Sequence, residues 1–474
     1  MKKQTAIFSF AFINLFRNVI GVVRSKYVAI FIGISEVGVL GLIIGFFNFQ
    51  NRIISPGLRI ALITLLKDKS KEEQTGIIVA NIFLLLLANL FFISFSFIFI
   101  NELNALLFKD ENYKTLLKVL VFLSPVFSLK ELVESILQAK QQFKIISTAQ
   151  FFSQLIAIVS VIPLIYLYGL IGVIYNLALW FSLNLSLLII LSIPFFHYLK
   201  FQFKHFFSTQ LFSLKFAGIN FTRQFVLFTA YMILPILIVQ TLSLHETGYF
   251  FAVWSISNYI NILIQALLFV FLPTLREIND NTKFYNELNN NFEILIYLVF
   301  PVILVIMAFP NIVLFTLFSE EFTKVSDLLV VLLLAKAVEA YFSYYLMVFV
   351  SIAKTKIYFG LDILRSTLFV GLSWWFLLNY GLVGIIWGIC ITYIISALII
   401  EIALFRKEKL RLNKTNLKLL IKISVVLISM VIFPEPSLSH YLLRIMLIFL
   451  TIFFVLDISK YYKYLHLIIK KKHF

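Results

Sequence analysis

Four arginines stand inside long apolar runs with no acidic residue within helical reach: Arg17, Arg24, Arg52 and Arg223. Arg17 and Arg24 are seven residues apart, which puts them on one face of a helix. At a rise of ~1.5 Å per residue, Arg17 sits roughly 18 Å from the N-terminal end of its run, and Arg52 and Arg223 are expected at similar depth. A charge near the centre of a bilayer costs at least about 2.5–3.5 kcal/mol on insertion scales, so such residues face protein or water. The guanidinium is a rigid fork of donors suited to phosphate or carboxylate. Two readings follow: a cationic lumen for an anionic substrate, or salt bridges to acids on other helices.

Other intramembrane charges carry partners on their own helix. Lys130 and Glu134 are four residues apart, and Lys336/Glu339 and Asp362/Arg365 are three apart, spacings that bring each pair onto one face. Local neutralisation is one use for them. Coupling to a proton or a cation is the other, for which Glu131 and Glu401 are further candidates. Nothing points to covalent catalysis, a metal or a cofactor. Cys390 is the single cysteine, the six histidines show no ligand spacing, and no glycine-rich phosphate loop or nucleophile motif is present.

The elements that must position these charges are membrane helices. Of the 474 residues, 61% are hydrophobic and 13% charged, with a mean hydropathy of +0.99. Soluble chains are about 25% charged, so this chain could not cover its surface in water. It divides into apolar runs near 5–32, 37–66, 75–100, 115–138, 146–167, 170–195, 211–241, 246–275, 287–318, 326–352, 358–379, 382–405, 416–433 and 440–458. That is an all-α integral membrane protein of about 14 transmembrane helices. The runs lack the alternation of a membrane barrel.

The formal charge is +17, and most of it lies in alternate loops. The N-terminus, the segments around Lys67, Lys140, Lys200, Lys283 and Lys354, the stretch from Arg406 to Lys418 and the C-terminal tail are basic. The opposite loops carry only Lys109, Lys114 and Lys324. By the positive-inside rule both termini are cytoplasmic, and the loop charges are topology signals and contacts for anionic lipid headgroups, not a nucleic-acid surface.

The sequence also repeats itself weakly. Glu36, Gly38, Asn48 and Thr64 match Glu246, Gly248, Asn258 and Thr274 at an offset of 210, and Tyr168-Gly-Leu-Ile-Gly matches Tyr380-Gly-Leu-Val-Gly at 212. Two six-helix lobes of equal orientation, 1–200 and 201–410, are expected, followed by two extra helices in 411–474. Such parallel repeats suit a V-shaped transporter with a central cavity. Gly38, Gly41 and Gly45, like Gly381, Gly384 and Gly388, have the spacing of close helix contacts, although glycine is common in membrane helices anyway. Pro56, Pro125, Pro235, Pro273 and Pro301 are candidate hinges.

Phe8-Ser-Phe, Arg17, the run Arg24-Ser-Lys-Tyr-Val-Ala and the turn Gly33-Ile-Ser-Glu-Val-Gly-Val-Leu-Gly41, with the 6 + 6 + 2 helix plan, resemble the Wzx-type polysaccharide flippases of the multidrug/oligosaccharidyl-lipid/polysaccharide exporter superfamily. The resemblance implies transport of an undecaprenyl-pyrophosphate-linked oligosaccharide between leaflets of the bacterial inner membrane, with the polyprenyl tail in lipid. In related lipid II flippases, arginines on helices 1 and 2 bind the pyrophosphate, and Arg17, Arg24 and Arg52 match those helices. Membrane lipids and the glycan polymerase machinery are the implied partners. A drug or metabolite cation antiporter of the same superfamily is the alternative, and it would call for acidic lumen residues. A polysaccharide polymerase or ligase would call for a large outward loop, and the longest here is about 101–114.

Overall fold

The computed structural model describes residues 20–55, 70–196, 231–278, 280–405 and 412–432, with the isolated positions Leu62, Leu66, Arg444 and Met446. Among the described residues there is no strand. The helices are α1 (20–31), α2 (Ile34–Ile54), α3 (Lys71–Ile98), α4 (Ile100–Leu107), α5 (Lys114–Phe122), α6 (Ser124–Ala139), α7 (Phe143–Tyr168), α8 (Leu170–Phe196), α9 (Tyr231–Thr241), α10 (Leu244–Arg276), α11 (Asn281–Ala308), α12 (Pro310–Leu317), α13 (Ser326–Ser351), α14 (Thr355–Ala403) and α15 (Lys414–Ile432). Eight of the described helices are long and apolar enough to cross a membrane. Their outward faces expose large apolar side chains such as Phe91, Tyr166, Phe269 and Val425, a surface that suits lipid and not water.

Local sequence explains where helices start and stop. Ser70 and Glu73 form a capping box at α3: Ser70 Oγ accepts from the Glu73 amide at 3.2 Å, and the Ser70 amide donates to Glu73 Oε2 at 3.1 Å. Asp280 caps α11 by accepting from the Lys283 amide at 2.7 Å. The apolar run 37–66 is not one straight helix. α2 ends at Ile54, where Ser55 precedes Pro56, because the residue before a proline is pushed out of the helical region.

The chain forms two compact units, residues 1–248 and 249–474. In the first, α7 and α8 make a long hairpin against which α6 packs, and α2 and α3 pack on α6. In the second, α13 packs along α14, with α11 and α15 against α13.

The repeat is written in the backbone as well as the sequence. Helices starting at residues 34, 71 and 100 have counterparts starting 210 residues later at 244, 281 and 310, and that starting at 143 has one at 355, 212 later. Gly169 and its counterpart Gly381 both take positive φ, 59° and 61°, which glycine adopts without steric cost. In each unit this breaks the helix so that the chain folds back on itself. One turn on, a Cβ at Gly172 would lie 2.0 Å from the Leu164 carbonyl oxygen, and one at Gly384 would lie 2.1 Å from that of Phe376. Leu164 and Phe376 are themselves 212 apart. Within the first unit, Gly38 and Gly248 meet each other. A Cβ on Gly38 would fall 2.4 Å from the Leu244 oxygen, and one on Gly248 would fall 2.1 Å from the Ile34 oxygen. Gly45, by contrast, has open space beside it.

Candidate functional site

Arg24 projects from the middle of α1 into the first unit, where it is 5% exposed. One guanidinium nitrogen, Nη2, donates to Asn176 Oδ1 of α8 at 2.9 Å. Asn176 is fully buried, and its Nδ2 donates to the Ala157 carbonyl at 2.8 Å and to Ser160 Oγ at 3.0 Å, both on α7. The Arg24 Nε has no hydrogen-bond partner, and among the described residues no carboxylate meets Arg24. A buried charge whose acceptor is a neutral amide remains undercompensated, and the effective penalty for a buried ion is several kcal/mol. An anion brought to Arg24 would relieve it and supply the stronger charge-assisted hydrogen bonds.

Arg52 belongs to the same unit. It lies in the last turn of α2 with an exposed side chain, because α2 stops two residues later, and there its charge also complements the helix dipole. Beside it, Gln50 and Asn51 are buried with every side-chain amide atom unpartnered. Arg17 and Arg223 lie outside the described residues.

The three local ion pairs all form. Lys130 Nζ is 3.2 Å from Glu134 Oε1, both partly exposed. Gln150 of α7 donates to the same carboxylate oxygen at 3.0 Å, and the ammonium stands 5.0 Å from the Phe127 ring centre. In the second unit, Lys336 is fully buried in the middle of α13, 2.7 Å from Glu339 Oε2. Its other neighbours are Asn258 Oδ1 at 3.4 Å and the Trp254 ring at 4.7 Å, both from α10. Arg365 Nη2 is 2.9 Å from Asp362 Oδ1, with its guanidinium 5.8 Å from the Phe342 ring. Glu401 accepts a hydrogen bond from the Tyr341 hydroxyl. Glu131 is half-buried, and its backbone carbonyl accepts from Ser135 Oγ at 2.6 Å. Among the described residues no three His, Cys, Asp or Glu side chains are grouped to hold a metal.

Sequence reasoning missed Asn176, Gln50 and Asn51. The available signal was an isolated amide in an otherwise apolar stretch, Gly172-Val-Ile-Tyr-Asn176-Leu-Ala-Leu, and two amides in succession at the end of α2. Polar residues of this kind are scarce in membrane helices and bond across to neighbours.

Residues 27–327, well over half of the chain, match a family model described as polysaccharide biosynthesis protein. No curated protein sequence matches. Among solved structures, the chain is similar to the lipid II flippase MurJ in an inward closed conformation, with a TM-score of 0.72 and 19% identity over 98% of this chain and 99% of that one. It is similar to an inward-facing multidrug resistance MATE family transporter of the MOP superfamily, with a TM-score of 0.67 and 16% identity over 84% of this chain and 96% of that one. A point mutant of the Vibrio cholerae MATE transporter VcmN gives a TM-score of 0.57 at 13% identity, covering 84% of this chain and 94% of that one. At these identities the likeness establishes a shared fold.

Proposed function

The chain belongs to the polysaccharide biosynthesis protein family, and from that premise we propose that it is a flippase for an undecaprenyl-pyrophosphate-linked oligosaccharide. It carries a polysaccharide repeat unit, of the O-antigen or capsule type, from the cytoplasmic to the periplasmic leaflet of the inner membrane by alternating access. The chain performs no bond chemistry. The observation that carries this reading is the buried Arg24 held by an amide instead of a carboxylate. A cation in that state is a receptor for a phosphate headgroup. Arg52 and, from the sequence, Arg17 and Arg223 extend the positive charge toward a pyrophosphate. The similarity to a lipid II flippase supports the same class of cargo.

The MATE-like fold leaves a drug antiporter as the competing class. Cationic drugs call for a free buried carboxylate. The buried acids Glu339 and Asp362 each already meet a cation one turn away, which favours an anionic cargo.

The test is export in cells lacking the chromosomal gene and carrying Arg24→Gln, Arg17→Gln or Arg223→Gln, with membrane levels measured alongside. Normal levels without surface polysaccharide are expected. Wild-type export by all three variants, or transport of organic cations by purified protein, would sink the reading. Orientation is read separately: a cysteine introduced within 434–439 is labelled from the periplasm and one within 406–414 is not, and reversed labelling would overturn cytoplasmic termini.

A further inference from the structure

Asn176 can be oriented in only one way. A carbonyl oxygen accepts and never donates, so the side-chain atom 2.8 Å from the Ala157 carbonyl must be the amide nitrogen. The second Nδ2 hydrogen goes to Ser160 Oγ. Both donors of the amide are thereby spent on α7, and Oδ1 is left pointing at Arg24. The order of dependence runs from the α7 backbone to Asn176 and from Asn176 to the guanidinium.

An amide and a carboxylate have nearly the same shape, and only one of them carries charge. Two buried cations of the second unit are met by carboxylates: Lys336 by Glu339 and Arg365 by Asp362. At Arg24 the acceptor is neutral. The repeat makes the contrast sharper. The position 212 residues after Asn176 is Gly388, where a Cβ would already lie 2.7 Å from the Ser373 Cα. A side chain there would have to displace that backbone, so the counterpart of Asn176 in the second unit offers no amide.

We infer that Asn176 is a positioning residue that fixes the direction of the Arg24 guanidinium while leaving its positive charge for a phosphate headgroup of the cargo. The inference rests on the reading above that Arg24 receives that headgroup. A carboxylate at 176 would hold the guanidinium equally well and cancel it, and an apolar side chain would release it. Selectivity for pyrophosphate over monophosphate then depends on a residue that never touches the lipid.

The experiment measures binding of undecaprenyl pyrophosphate and undecaprenyl monophosphate to the full chain in nanodiscs, for wild type, Arg24→Gln, Asn176→Asp and Asn176→Leu. The expected result is a loss of pyrophosphate binding of roughly 10- to 100-fold in Asn176→Asp, the scale of one hydrogen bond to a charged group. The monophosphate should lose less, so that the preference between the two lipids shrinks. Asn176→Leu should shrink it too. A merely structural asparagine would lower both affinities by the same factor, and that result overturns the inference. If Asn176→Asp fails to accumulate, because its second oxygen would face the Ala157 carbonyl, Asn176→Leu decides alone, and an unchanged preference overturns the proposal. Loss in Arg24→Gln with wild-type binding by both Asn176 variants defeats the role of Asn176 only. Wild-type binding by Arg24→Gln defeats the headgroup site itself, and with it this inference.

Discussion

Three buried cations of the described residues, one in the first compact unit and two in the second, are held in opposite ways. In the second unit Lys336 and Arg365 sit one turn from Glu339 and Asp362 and close on them at 2.7 and 2.9 Å. In the first, Arg24 is held by the amide of a residue 152 positions away in the chain. A paired charge is finished: its field is cancelled before any ligand arrives, and its partner keeps it inside. An amide-held charge is unfinished, stable enough to be built and short of a counter-ion. On the function proposed above, headgroup recognition belongs to Arg24 in the first unit, and the paired charges of the second are structural.

The comparison can be broken by removing one partner at a time. The largest effect is expected for Glu339→Gln, which strands a fully buried ammonium; it should destabilise the protein by about 3–5 kcal/mol, measured by denaturation in detergent, and unchanged stability would show that the pair is not what holds Lys336. Next comes Arg24→Gln. Export should fall by ~100-fold, equivalent to ~2.7 kcal/mol, while the melting temperature stays level or rises, because an undercompensated buried charge has been removed. A fall in melting temperature matching that of Glu339→Gln would erase the distinction between the units.

Neutralising both partners sharpens the same point. Lys336→Met with Glu339→Gln removes the desolvation of both ions together, and such replacements are often neutral; stability within about 1 kcal/mol of wild type and export within about threefold are expected. Complete loss of export in that stable double variant would give the pair a part in transport. The smallest effect belongs to Glu134→Gln. The Lys130–Glu134 pair is partly exposed, where screening leaves ion pairs roughly 0–1 kcal/mol, and an amide at 134 can still accept from the ammonium. A shift in the denaturation midpoint beyond that range would mean that the pair is more deeply desolvated than its exposure indicates.

Much of this architecture is legible from residue order. The Ser70–Glu73 box, the glycines at 169 and 381, the two halves at offsets of 210 and 212 and the three local ion pairs are set by contacts within four residues or by backbone conformation, which sequence specifies directly. Arg52 shows where such reading stops. The apolar run around it reads as continuous, whereas α2 ends at Ile54, before Ser55-Pro56, with Arg52 exposed in its last turn.

What sequence by itself determined is a helical membrane protein with two repeated halves, an excess of positive charge, and arginines with no acid within one helical turn. Their identity follows from the 3.6-residue period, because any acid within one turn would have been visible. Which group completes Arg24 was decided by tertiary structure. Two helices had to pack before Asn176 could turn its oxygen toward α1, and a contact across 152 residues leaves no periodic mark in the chain. The neutrality of that partner, on which the functional reading turns, became visible only once the helices were in place.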